Sequence, residues 1–234
     1  IVFIKFDISK SLNVNRKMLS ARFKDDNMIE IGLDEAGRGS FWGPIMAGAL
    51  IIPNESTWTD KQRTLLTQLR DSKKISPKKR EKLANDLKEL MPQYAIGIVE
   101  PNEINEHGIY WANIEAFKRA IQKLGFDESM CRLLIDGDLS IQEWTGEQLG
   151  IVDGDSKYLT IAGASILAKV EHDKWIQDYC TLYPECDKRY DLCKSKGYGT
   201  IKHREGIRLY GGHELHRELF IQNWLSDTSK KVKK

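Results

Sequence analysis

Asp34 and Glu35 stand side by side behind Ile29-Glu30-Ile31-Gly32-Leu33, and Gly37-Arg38-Gly39 follows at once. Adjacent carboxylates can hold a hard cation, and glycines let backbone N–H groups approach a ligand closely. With one arginine between the glycines, the stretch carries donors for metal and phosphate chemistry in one place. Taken alone, the pair also reads as a charged surface turn. Two further motifs can join it: Asp136-Gly137-Asp138 and Asp153-Gly154-Asp155-Ser156-Lys157. As a cluster, Asp34, Glu35, Asp136 and Asp155 would repel one another, so they need cations or protons. Two divalent ions bring four positive charges, and oxygen-only ligation favours Mg²⁺ or Mn²⁺ over zinc. Two such ions about 4 Å apart activate a water and stabilise the leaving oxygen in phosphodiester hydrolysis. No protein nucleophile is then required.

The elements that must position these acids can be read from periodicity. Ile29, Ile31 and Leu33 alternate with polar or small residues, the pattern of a strand with one buried face. In a regular strand Asp34 and Glu35 point to opposite faces. The apolar run from Pro44 to Pro53 predicts a buried hairpin partner. Ser76-Pro77 predicts a helix start, with Leu83, Leu87 and Leu90 on its apolar face and Pro92 as its stop. Tyr94 to Val99 reads as a strand and residues 109–124 as a helix. Cys131 to Ile135 reads as a short buried strand delivering Asp136 at its carboxyl end, where open α/β sheets place their sites. Residues 139–150 read as irregular, with Ile151-Val152 a further short strand. Leu159 to about Leu182 predicts a helix rich in small residues, with Asp155 near its N-terminus, where capping is the plain role. Tyr198 lies between Gly197 and Gly199 in a basic loop, accessible for stacking on a sugar or base, and Thr200 caps a last helix.

The 234 residues suffice for one domain with a small appendage, and 41% hydrophobic with 30% charged residues fits a soluble globular chain. A net charge of +2 does not by itself mark a nucleic-acid binder. The basic residues are concentrated at Lys73 to Lys82 and in a tail at 226–234. Four cysteines form no C-x-x-C pair, and Cys180, Cys186 and Cys193 are poorly spaced for zinc, so reduced thiols and a cytoplasmic location are expected. No apolar run reaches the roughly 20 residues of a membrane helix, so no membrane partner is expected. Residues 1–27 lack periodicity and read as an N-terminal extension or leader.

The ordered motifs resemble type 2 ribonuclease H, the ribonuclease HII family. They are Asp34 to Gly39, Gly43-Pro44, Asp71 to Ser76, Ile135-Asp136-Gly137, Gly154 to Lys157, Ala164 to Val170 and Lys196 to Thr200. They cover about residues 28–220. The resemblance implies an α/β, RNase H-like fold: a mixed central sheet flanked by helices (28–183) with a small helical C-terminal part (184–225). It implies cleavage 5′ of a ribonucleotide in RNA–DNA hybrids and at single ribonucleotides embedded in duplex DNA, by a monomer using two divalent cations. Asp34, Glu35, Asp136 and Asp155 carry over as catalytic metal ligands. Gly37, Arg38 and Gly39 carry over as readers of the 2′-hydroxyl, Tyr198 as the sugar-stacking residue, and Lys73 and Lys169 as phosphate contacts. The chain departs from the family pattern at Ser40, Phe41-Trp42, His172 and 186–193. Those departures bear on substrate preference more than on chemistry. A catalytically silent binding module would lack one of the four acids. A DNA nuclease of the same superfamily would lack the Gly-Arg-Gly and Tyr198 motifs.

Overall fold

Strand β1 (Ile29–Ala36) is the centre of the molecule, and β2 (Ile45–Ile51) folds back on it antiparallel with Asp34 opposite Gly48. The computed structural model describes residues 18–225. Strand β3 (Tyr94–Val99) extends the hairpin antiparallel, while β4 (Cys131–Asp136) and β5 (Glu147–Ile151) add parallel on the other side. The order is β3-β2-β1-β4-β5. Nine helices are described: α1 (Asp60–Leu66), α2 (Pro77–Leu90), α3 (Pro101–His107), α4 (Ile109–Leu124), α5 (Leu159–Leu182), α6 (Pro184–Tyr190), α7 (Leu192–Ser195), α8 (Ile201–Tyr210) and α9 (Glu218–Ile221). Among the described residues, no helix is long and apolar enough to cross a membrane.

Pleating sorts β1 between two cores. Ile31 and Leu33 pack with Phe117, Ala116 and Ile104 of α4 and α3. The opposite face carries Gly32, where any Cβ would collide with the backbone of Thr160 and Ile161, and Gly48 of β2 meets Ala164 in the same way. Missing side chains thus let α5 lie directly on the sheet, and Leu50, Leu66, Leu83, Leu87 and Leu167 fill the core beside it. The far half of α5 runs into a third core built from Trp42, Ile176, Tyr190, Leu192 and Ile207.

Three local expectations change. The segment read as irregular contains β5, a polar, half-exposed edge strand held by its parallel ladder to β4. Asp155 does not cap α5. It sits in a 3₁₀ turn (Gly154–Ser156), and α5 begins after Tyr158 without a side-chain cap. Ser76 precedes α2 as expected but makes no capping bond.

The expected extension over 1–27 and tail over 226–234 lie outside the described residues at 1–17 and 226–234. Residues 18–27 are described. Ser20 exchanges backbone bonds with Lys157 and Leu159 (2.8 and 3.0 Å), and Glu30 accepts from Phe23 and Lys24 N–H (2.9 and 3.1 Å).

Candidate active site

The parallel register that sets Leu33 against Ile135 brings Asp34 and Asp136 together at the carboxyl ends of β1 and β4. Asp34, 7% exposed, faces α5, where Ser165 lies beside it and favours its ionised form. Glu35 points the other way, towards the buried amide of Asn113 on α4. A regular strand therefore aims its adjacent acids at opposite faces, as pleating requires, yet both feel Asp136 electrostatically. Asp155 arrives through the 3₁₀ turn, which Asp153 enters in the left-handed region (φ 52°). Asp136 Oδ1 accepts from Gly154 N–H (2.7 Å) and, more weakly, from Asp155 N–H (3.4 Å).

Burial first, then the charges of Glu35 and Asp136, push the Asp34 carboxyl well above the carboxylate range. Burial also raises Glu35, against the pull of Arg38. Asp155 is pushed up to about 6 by burial, then by Asp136 and Asp71. The acids are neighbours without closing into a compact ligand cage. An all-oxygen donor set in which three acids are pushed up fits divalent Mg²⁺ or Mn²⁺, whose charge would offset those shifts.

The turn beside the acids is held from below. Gly37 adopts φ +84°, and a side chain there would strike the buried ring of His172. Arg217, 1% exposed, donates to Gly37 O (2.6 Å), Arg38 O (3.0 Å), Gly43 O (3.0 Å) and Pro44 O (2.9 Å). Burial draws its pKa down to about 9, so it stays charged at neutral pH. Arg38 and Gly39 are exposed, and the Arg38 guanidinium lies 3.8 Å from Glu35.

Tyr198 flanks the turn. Its strand-like bridge to Ser40, and Phe41 N–H donating to Gly197 O (2.8 Å), fix the loop against the turn. The Lys169 ammonium lies 5.1 Å from the Tyr198 ring centre and 2.8 Å from Asp173, so it braces the ring as well as facing outward. Lys73 is exposed, and its charge reaches Asp155. The bulky Trp42 is core, ringed by Tyr179, Tyr190, His213 and His216 at 4.6–5.6 Å. Sequence reasoning did not assign Arg217, Asn113 or Ser165 to the site. An arginine after His213-Glu214-Leu215-His216 gives no local sign that its acceptors are carbonyls at 37–44.

The sequence model of the family described as Ribonuclease HII matches residues 31–223. A Ribonuclease HII of Caldanaerobacter subterraneus subsp. tengcongensis is 42% identical over 194 residues, 83% of this chain and 74% of that one. The crystal structure of ribonuclease H2 from Pyrococcus horikoshii OT3 superposes with a TM-score of 0.65 at 26% identity, covering 88% of this chain and 97% of that one. Bst-RNase HIII in complex with Mn²⁺ shares the fold, with a TM-score of 0.62 at 17% identity, covering 88% of this chain and 71% of that one. The match runs from the sheet to the C-terminal helices that hold the turn, and the chain therefore belongs to the ribonuclease HII family, as a ribonuclease H endonuclease acting on RNA–DNA.

Proposed function

We propose that the chain hydrolyses the phosphodiester on the 5′ side of a ribonucleotide, leaving 3′-hydroxyl and 5′-phosphate ends. Its substrates are RNA–DNA hybrids and single ribonucleotides embedded in duplex DNA, so it serves ribonucleotide removal and RNA primer degradation. Asp34, Glu35, Asp136 and Asp155 would hold two divalent cations, Mg²⁺ or Mn²⁺, which supply an activated water and stabilise the leaving oxygen. The chain's own residues select and place the substrate. Arg217 turns the carbonyls of Gly37 and Arg38 inward, and the exposed backbone at Arg38 and Gly39 is left to read the 2′-hydroxyl, the group that separates RNA from DNA. Tyr198 stacks on the sugar beyond the RNA–DNA junction. Lys73 and Lys169 contact phosphates, Lys169 while sharing its charge with Asp173.

One observation carries this reading. Three acids whose pKa values burial raises lie beside a glycine turn braced by a buried arginine. The experiment is cleavage of a labelled DNA duplex with one ribonucleotide, in Mg²⁺ or Mn²⁺ and in chelator. A metal-dependent cut just 5′ of the ribonucleotide is expected. Cleavage of all-DNA duplex at a comparable rate would refute reading of the 2′-hydroxyl, and no cut in hybrid or embedded substrate would refute the activity.

A further inference from the structure

Behind the Tyr198 loop, α5, α6 and α7 converge on a second polar cluster. Cys180 near the end of α5, Asp187 in α6 and Cys193 in α7 bring two sulfurs and a carboxylate oxygen within 4.8 Å of one another. Cys193 N–H donates to Asp187 Oδ1 (2.7 Å), which fixes the carboxylate and leaves its other oxygen available. Cys180 is buried, Asp187 and Cys193 are half-buried, and all the described cysteines are free thiols. Cys186 turns away, with its sulfur 3.9 Å from His213 Nε2 and 4.0 Å from the Tyr179 hydroxyl. The linear pattern Cys-x6-Asp-x5-Cys hides the cluster, because folding rather than spacing brings these residues together.

We propose that Cys180, Asp187 and Cys193 form a structural site for one zinc-like divalent cation, with water in the fourth position. Two sulfurs with one oxygen suit zinc and are poor ligands for Mg²⁺ or Mn²⁺, so this site and the sheet-end acids select different ions. On binding, each thiol becomes a thiolate and releases its proton to solvent. Without the cation, burial and the contact with Cys193 hold Cys180 as a thiol, while the charge of Lys196 favours the thiolate. That lysine offsets the excess negative charge of two thiolates and a carboxylate around one divalent ion.

The site has a structural task. Helix α7 has four residues and is flanked by left-handed backbone at Asp191 (φ 54°) and Lys196 (φ 52°). A single turn has little stability of its own. Ser195 at its end accepts from Tyr198 N–H (3.0 Å), so the position of α7 sets the Tyr198 loop. A cation held by Cys180 and Cys193 would fasten that turn to α5.

The test uses the full chain, reduced and stripped of metal, with excess Mg²⁺ present to fill the sheet-end acids. Zinc is then added, and retained metal and reactive thiols are counted after dialysis. The expected result is one zinc per chain and protection of two of the four thiols. Cobalt added in its place should give thiolate-to-metal charge-transfer absorption. Cys180→Ser and Cys193→Ser should each abolish both signals, Asp187→Asn should weaken zinc binding roughly tenfold or more, and Cys186→Ser should change neither. A wild-type chain that retains no zinc overturns the site even if a variant misfolds. So does equal retention by the Cys180 and Cys193 variants, or a Cys180–Cys193 disulfide as the sole product with no metal-binding form. None of these readouts uses nuclease activity, so their failure leaves the sheet-end site untouched.

Discussion

Strands β1 and β4 carry buried charge at both ends, and the two ends treat it in opposite ways. At their start, Arg132 is fully buried and contacts Asp26 (2.6 Å), Glu30 (3.1 Å) and Glu147 (2.8 Å). Its guanidinium holds Asp26 down at about 2 and lowers Glu147 as well. At their finish, Asp34, Glu35, Asp136 and Asp155 meet beside the exposed Arg38, 3.8 Å from Glu35, and three of them are pushed up all the same. The start brings its own cation and is structure. On the proposed function, the finish takes its cation from solution, which is how a site would differ from a strut made of the same residue types.

The largest effects should separate the ends by what they damage. Asp34→Asn is expected to lower cleavage by roughly a thousandfold or more, the scale of losing charge stabilisation in the transition state. It should leave the urea midpoint unchanged or raised, because an amide relieves like-charge repulsion. Arg132→Met strands Glu30 in the core and should destabilise by about 3–5 kcal/mol, while the folded fraction still cuts. Equal destabilisation by the two substitutions would erase the contrast. Tyr198→Ala is a smaller test within the site. Losing one stacking platform, worth about 1–3 kcal/mol, should reduce cleavage at an embedded ribonucleotide about tenfold and at a long hybrid less. Equal losses would remove its junction role.

The smallest effect is in pH, where the ends should differ in sign. Asp26 has its folded pKa below the unfolded 3.8, so its contribution is present above that value and fades as pH falls through about 2. Asp155 has its folded pKa raised from 3.8 to about 6, so its contribution is present in acid and fades as pH rises through that window. In chelator, thermal scans should therefore show the wild-type chain losing stability relative to Asp155→Asn from about pH 4 to 6, against the opposite trend from the buried histidines, whose pKa values burial lowers. A stability difference between the two chelated chains that does not change over this window would contradict the buried reading of Asp155.

Much of this arrangement was legible in the sequence because it is periodic. Alternation at Ile29 to Leu33 and the leucines of α2 each follow from one buried face, the small residues of α5 follow from close packing on the sheet, and Asp34 and Asp136 fall towards the ends of β1 and β4. Helix α3 was missed although its start carries a proline and a reciprocal cap between Glu100 and Glu103. Strand β5 was missed because an edge strand of Glu-Gln-Leu-Gly-Ile owes its form to its neighbour rather than to its own alternation. The buried partners were illegible for a different reason. Arg132 finds Glu30, and Arg217 finds the carbonyls at 37–44, only through register and packing across long separations.

That last link has a consequence for synthesis. The turn at Gly37 is synthesised 180 residues ahead of the guanidinium that gathers its carbonyls, which belongs to Arg217. A nascent chain can pair β1 with β2 early, since hairpins close locally. It cannot finish the turn until the C-terminal helices have left the ribosome and docked. Synthesis through residue 217 thus becomes a condition for a fully braced turn, and a chain ended before it would carry the four acids without that brace.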